Sequence, residues 1–174
     1  PMSRYLVIEP CAVSAFNMTD GAAHREGISP FYNQYSFTTG DALYEPDDED
    51  ALMLMRGLFM TSYLADDFIA EQGFGEKQAL ISSASSKTSI ALGYLVSSSK
   101  RARAVGLTSA RNLEFVRSLG CYDEVLTYEE VASMDAKEPS VYVDMAGSGP
   151  LLRAVHEHSG SQLKHSCAIG ATHW

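Results

Sequence analysis

The chain has 174 residues, 45% hydrophobic and 20% charged, an ordinary globular composition with enough length for one domain and a sizeable core. Thirteen Lys and Arg against 22 Asp and Glu give a net charge of −9, which argues against a general nucleic-acid surface but not against an anionic cofactor held by local dipoles and one or two cations. No apolar run approaches the ~20 residues of a membrane span, and no signal peptide is visible.

Cys11, Cys121 and Cys167 stand far apart, in no CxxC or His/Cys ligand spacing. They are expected to be reduced thiols of a cytoplasmic protein, with no metal site. The chain begins with Pro1, not Met, and ends at Trp174 inside a motif, so a piece of a longer protein is expected.

In chain order, residues 4–8, "RYLVI", predict a short strand. Residues 9–40 read as loop, with Gly, Pro, Asn, Ser and Thr throughout and the aromatic run "FYNQYSF". Residues 41–50 hold six acids, Asp41, Glu45, Asp47, Asp48, Glu49 and Asp50, and no base. They predict a solvated stretch whose end suits the positive start of a following helix. That helix is predicted over residues 50–72, ending before Gly73. Leu52, Met55, Phe59 and Tyr63 recur at spacings of three and four as one face, and the methionines are expected to fill the core.

From residue 79 the rhythm changes. "QALISSA" predicts a strand, "TSIALGYLVSSS" a helix weakened by Gly93, "ARAVGLT" a strand and "ARNLEFVRSLG" an amphipathic helix closed by Gly120. "DEVLTY" is a short strand, "EEVASM" a helical turn and "SVYVDMAG" a strand. "PLLRAVHEHSG" is a helix with Pro150 near its start and Gly160 after it, and "KHSCAIG" is a last strand. The alternation predicts an α/β fold: a Rossmann-like, doubly wound parallel sheet of about five strands in order 3-2-1-4-5, with helices on both faces. A ligand is expected at the carboxyl ends of the strands.

The unusual residues collect at those ends: "SSASSKTS", "TSARN", Tyr128, "DMAGSG" and "GATHW", in strand order. The first turn matches a P-loop poorly. Ser86-Lys87-Thr88 supplies its end, but Ile81 and Ser86 stand where glycines belong, and only Asp144 offers a strand-end acid for magnesium. A Rossmann turn needs small residues so that backbone N–H groups approach a pyrophosphate at the helix start, and Ser83, Ser86 and Ser89 repeat at spacing three.

The pattern resembles the medium-chain dehydrogenase/reductase superfamily, especially its zinc-independent, quinone-reductase-like branch, over about residues 50–174. There the turn reads A-x-x-G-G-x-G; Ser83 takes the Ala place, Ser86 and Lys87 the paired glycines and Ser89 the last glycine. "GLTSARNLEFVRSLGCYDEVLTY", "YVDMAG", "CAIGATHW" and "GLFMTSYL" are similar to further stretches of that family. The resemblance implies a Rossmann cofactor domain over 46–174, cut after its fifth strand, and the tail end of a GroES-like catalytic domain plus an acidic connector over 1–45. It also suggests a branch of unknown function sharing "SSASSKT" and "GATHW". It implies cofactor contacts from Ser85, Ser86, Lys87, Thr88 and Ser89, from Met145, Ala146 and Gly147, and, beside the nicotinamide, from Thr61, Gly170, Ala171 and Thr172.

NAD(H)-specific sites carry Asp or Glu at the end of the second strand to accept from the ribose 2′-hydroxyl. Here Thr108-Ser109-Ala110-Arg111 stands there. A 2′-phosphate needs a cation and hydroxyl donors, and Ser109, Arg111 and Tyr128 fit that role, so NADP(H) is expected over NAD(H). Each serine adds a Cβ that keeps the backbone farther from phosphate and makes positive φ costly, so binding is expected to shift towards side-chain donors, with Lys87 offsetting phosphate charge.

Asp144 reads equally as a cap before Gly147. His173 is the one weak catalytic candidate, since no general acid is fixed by motif. His156, His158 and His165 read as surface or core. The expected function is the NADP(H)-binding domain of an oxidoreductase that moves hydride between nicotinamide and a carbonyl, enone or quinone-like small molecule, the piece alone being inactive. The alternative is a Rossmann-like module that has lost its cofactor and serves ligand binding or interaction. No nucleic-acid or membrane partner is expected; a homodimer through the sheet edge is open to it.

Overall fold

The computed structural model describes residues 6–12, 15–20, 34–36, 38–39 and 41–170. The chain divides into two units, Pro1–Glu49 and Asp50–Trp174.

In the first unit, β1 (Leu6–Ala12), β2 (Ala15–Asp20) and β3 (Gln34–Ser36) form an antiparallel sheet in that order. The loop expected over 9–40 is therefore partly strand. Pro10 does not prevent this, because β1 is an edge strand and the pairing shifts register between Pro10 and Ala12, where a missing N–H is tolerated. The acidic stretch follows as an Asx turn, Leu43 N–H donating to Asp41 Oδ1 at 3.0 Å, and a 3-10 turn at Pro46–Asp48.

In the second unit, α1 (Glu49–Gln72) leads to β4 (Gln78–Ile81), α2 (Lys87–Ser99) and β5 (Arg103–Thr108). Then come α3 (Leu113–Ser118), β6 (Glu124–Thr127), β7 (Ser140–Asp144), α4 (Gly149–Ser159) and β8 (Leu163–Ala168). The sheet runs β6-β5-β4-β7-β8, all pairs parallel, which is the expected order 3-2-1-4-5. The helix expected over 110–120 is shorter, because Ala110–Asn112 tighten into a 3-10 turn before α3.

Central strands buried on both faces read as continuous apolar runs. In β4, Ala79 and Ile81 face one cluster with Ala65 and Ile69 of α1 and Leu92 and Val96 of α2. Leu80 faces the other, with Val105, Leu107, Tyr142 and, from α4, Leu151 and Val155. Full burial of each such Leu, Ile or Val contributes roughly 1.5–3 kcal/mol. Ion pairs brace the opposite, amino-terminal edge: Arg101 meets Asp66 at 2.6 Å and the buried Glu76 at 3.4 Å, and Arg103 meets Glu138 at 2.9 Å.

Helix α1 departs from expectation. Phe59 and Tyr63 are exposed, and so are Met53 and Met60, so these methionines fill no core. The buried line is Ser62, Ala65 and Ile69. Small residues win there because the backbones come close: the Ser62 hydroxyl reaches the Thr88 carbonyl of α2 at 2.7 Å. No helix among the described residues is long and apolar enough to cross a membrane.

Candidate functional site

The carboxyl edge of the sheet is held by side chains of the serine-rich turn. Ser82, fully buried, donates its hydroxyl proton to Asp144 Oδ1 at 2.8 Å. Ser82 Oγ itself accepts the N–H groups of Met145 and Ala146 at 2.8 and 3.0 Å. One serine thus joins the turn after β4 to the turn after β7. Asp144 also accepts from Tyr142 Oη and from the N–H groups of Ala146 and Gly147, so it caps its turn.

Ser83 takes φ 52°, the left-handed conformation that glycine adopts at little cost. Ala84 donates its N–H to the Leu107 carbonyl at 3.0 Å, and its own carbonyl accepts the Tyr122 hydroxyl at 3.0 Å. Tyr122 lies where glycines leave room. A Cβ on Gly93 would strike its ring, and one on Gly106 would stand 3.0 Å from it. Burial pushes the Tyr122 phenol far up, which keeps it a neutral donor.

Ser86 caps α2, accepting the Ser89 N–H at 3.3 Å. Its proton goes to the Ser89 hydroxyl at 2.9 Å, and Ser89 passes its own to the Ser82 carbonyl at 2.8 Å. Both hydroxyl protons therefore stay inside the turn. What faces outward at the start of α2 is the exposed Lys87, the partly exposed Ser85 and Thr88, and the first helical N–H groups, which have no intrahelical acceptor.

At the end of β5, Thr108 is 1% exposed, and the buried Thr108 Oγ1 and Ser109 Oγ have no hydrogen-bond partner. An unpaired buried hydroxyl costs about 1–3 kcal/mol, so two adjacent ones leave hydrogen-bonding capacity unused at this edge. Arg111 is exposed beside them, in no ion pair among the described residues. Asn112 donates from Nδ2 to Ser85 Oγ at 3.0 Å, which bridges the first and second turns. Tyr128, half-buried after β6, turns to Ser83: burial pushes its phenol up, and hydrogen bonding with Ser83 pulls partly back.

Gly170 lies against the end of β7, its N–H on the Asp144 carbonyl at 3.0 Å, and a Cβ there would strike the Met145 carbonyl. The edge thus collects Ser85–Ser89, Thr108, Ser109, Arg111, Tyr128, Met145, Ala146, Gly147 and Gly170. Thr61 is exposed on α1 with its hydroxyl on the Gly57 carbonyl. Ala171, Thr172 and His173 lie outside the described residues.

His156, His158 and His165 are away from this edge. His156 meets Ser166 and His158 the Met134 carbonyl, both at 2.9 Å, and His165 stacks on Phe74 with centroids 4.5 Å apart. Sequence reasoning missed Ser62, Ser82, Asn112 and Tyr122. For Tyr122 a signal existed: glycines inside both a helix and a strand, at Gly93 and Gly106, announce a bulky neighbour.

A parallel five-stranded sheet with its small and polar turns gathered at the carboxyl edge is a Rossmann-like fold. The chain belongs to the DUF2855 family, described as a protein of unknown function, whose model matches residues 1–174. No curated protein matches the sequence. In fold it is similar to a proposed NADPH:quinone reductase from Mesorhizobium loti, with TM-score 0.60 and 13% identity over 82% of this chain and 40% of that one. It is also similar to galactitol-1-phosphate dehydrogenase from Escherichia coli, with TM-score 0.55 and 15% identity over the same shares, 82% and 40%. The chain thus spans about 40% of the length of these structures, and what it shares with them is the Rossmann-like fold expected from the sequence.

Proposed function

We propose that this edge binds NADP(H), and that the chain is the cofactor domain of an oxidoreductase. The observation that carries this is the pair of buried, unpartnered hydroxyls of Thr108 and Ser109 beside exposed Arg111. A 2′-phosphate fits them: it accepts from both hydroxyls and takes the planar fork of Arg111. No carboxylate stands at the end of β5 to accept from a bare ribose, so NAD(H) finds less there.

The pyrophosphate then belongs at the start of α2. Lys87 and the first N–H groups of the helix offer positive charge, and Thr88 and Ser85 offer hydroxyls. Ser82, Ser86 and Ser89 shape the turn from within. When bound, the cofactor supplies or accepts hydride at its nicotinamide, for a carbonyl, enone or quinone-like substrate. This chain's share is to bind and orient it. The second reading, a module without cofactor, is favoured by one feature: the turn's own hydrogen bonds leave Ser86 and Ser89 no proton to give a phosphate.

Titration with NADPH and NADH by calorimetry separates the two. Tighter binding of NADPH is expected, and Arg111→Ala should weaken NADPH about tenfold while leaving NADH nearly unchanged. Absence of binding by either nucleotide would support the cofactor-free module.

A further inference from the structure

We infer that Asn112 is a positioning residue that couples the two anion-binding turns, and that Ser85 is its handle; the inference rests on the NADP(H) reading. Ser85 and Asn112 are 27 positions apart, and their side chains meet at 3.0 Å, Nδ2 of Asn112 donating to Oγ of Ser85. The bond joins two segments that bear the proposed phosphate ligands. Ser85 directly precedes the cap of α2, and Asn112 directly follows Arg111.

Each end of the bridge is anchored. The Asn112 N–H donates to the Ser109 carbonyl at 2.9 Å, which closes the 3-10 turn holding Arg111. On the other side, the neighbours of Ser85 are fixed. Ala84 is bonded to Leu107 and Tyr122, and the Ser86 N–H donates to the Ser83 carbonyl at 2.8 Å. The amide of Asn112 therefore sets the distance between a rigid first turn and the turn that carries Arg111, Ser109 and Thr108.

The bridge also orients a proton. Ser85 Oγ already accepts from Asn112, and its own proton has no acceptor among the described residues, so it is left to point at a ligand. Glycine at position 85 could make neither contact. A phosphate on the first turn that takes this proton strengthens the acceptor seen by Asn112, and so steadies Arg111 for the second phosphate. Occupancy of one turn is thereby linked to affinity at the other.

The test is a set of dissociation constants for NADPH and NADH in the wild type, Asn112→Ala, Ser85→Ala, the double variant and Ser85→Thr, with thermal unfolding of each. Asn112→Ala is expected to weaken NADPH about tenfold and NADH less than about threefold, at unchanged melting temperature; Ser85→Ala also removes a pyrophosphate donor and should weaken both cofactors, NADPH the more. The double variant should lose no more NADPH affinity than Ser85→Ala alone, and Ser85→Thr, which keeps the hydroxyl, should retain most of the affinity. Equal losses for the two cofactors in Asn112→Ala, additive losses, or undisturbed NADPH binding in Asn112→Ala would overturn the coupling while leaving the cofactor reading standing. A wild type that binds neither nucleotide overturns both.

Discussion

At Ser83 a side chain occupies a backbone conformation that glycine suits better. Its φ of 52° sets Cβ against the following carbonyl, at roughly 1–2 kcal/mol, and the hydrogen bonding with Tyr128 offsets part of that. Ser83→Gly relieves the strain but frees the unfolded chain and removes the hydroxyl. The balance favours the variant by up to about 1 kcal/mol, read as a rise in the urea midpoint at unchanged m-value. A fall in midpoint would mean that the Tyr128 contact outweighs the strain. Single residues of this kind were only half legible. The positive φ was foreseeable as a cost of serine in such a turn. The partners were not, because Tyr128 reaches Ser83 only once β6 has taken its place in the sheet.

Among the elements, helix α2 shows how a local rule is overturned by packing. Gly93 lowers helix propensity by about 1 kcal/mol relative to Ala, yet the Tyr122 ring needs that space. Gly93→Ala is therefore expected to destabilise the wild type by about 1–3 kcal/mol but to stabilise a Tyr122→Ala background. Equilibrium unfolding of the four proteins of that cycle checks the change of sign. The five parallel strands were legible because each is a short apolar run between punctuating turns. The buried face of α1 was not. Leu, Met, Phe and Tyr surround the helix, so periodicity chose among apolar faces with no contrast, and the small residues Ser62 and Ala65 mark the true one. The strands β2 and β3 were hidden by turn-forming residues around short segments. The edge of the site was legible as a place, and its bridges at Asn112 and Tyr122, made across long separations, were not.

For the whole molecule, several buried acids that ionise at high pH act together. Burial raises the phenols of Tyr122, Tyr128 and Tyr142 and the thiols of Cys121 and Cys167. Raised values mean that the folded chain holds these protons more tightly than the unfolded one. Their stabilising contribution is complete below the ordinary values, about 8.5 for Cys and 10 for Tyr, and is lost as pH rises beyond them. Stability should accordingly fall steeply above about pH 10. Tyr122→Phe should flatten that fall by up to about 1.4 kcal/mol per pH unit, measured as unfolding free energy against pH. An unchanged slope would mean that Tyr122 ionises in the fold without resistance.

The hydroxyl chain from Ser86 through Ser89 to the Ser82 carbonyl has a consequence for substitution. Removing Ser89 strands the buried Ser82 carbonyl, and removing Ser86 strips α2 of its cap and Ser89 of its donor. Replacing Ser86 or Ser89 alone by glycine thus passes through a less stable protein. Ser86 and Ser89 are therefore expected to tolerate joint replacement better than either change alone, a coupling that a double-mutant cycle of unfolding free energies reads directly.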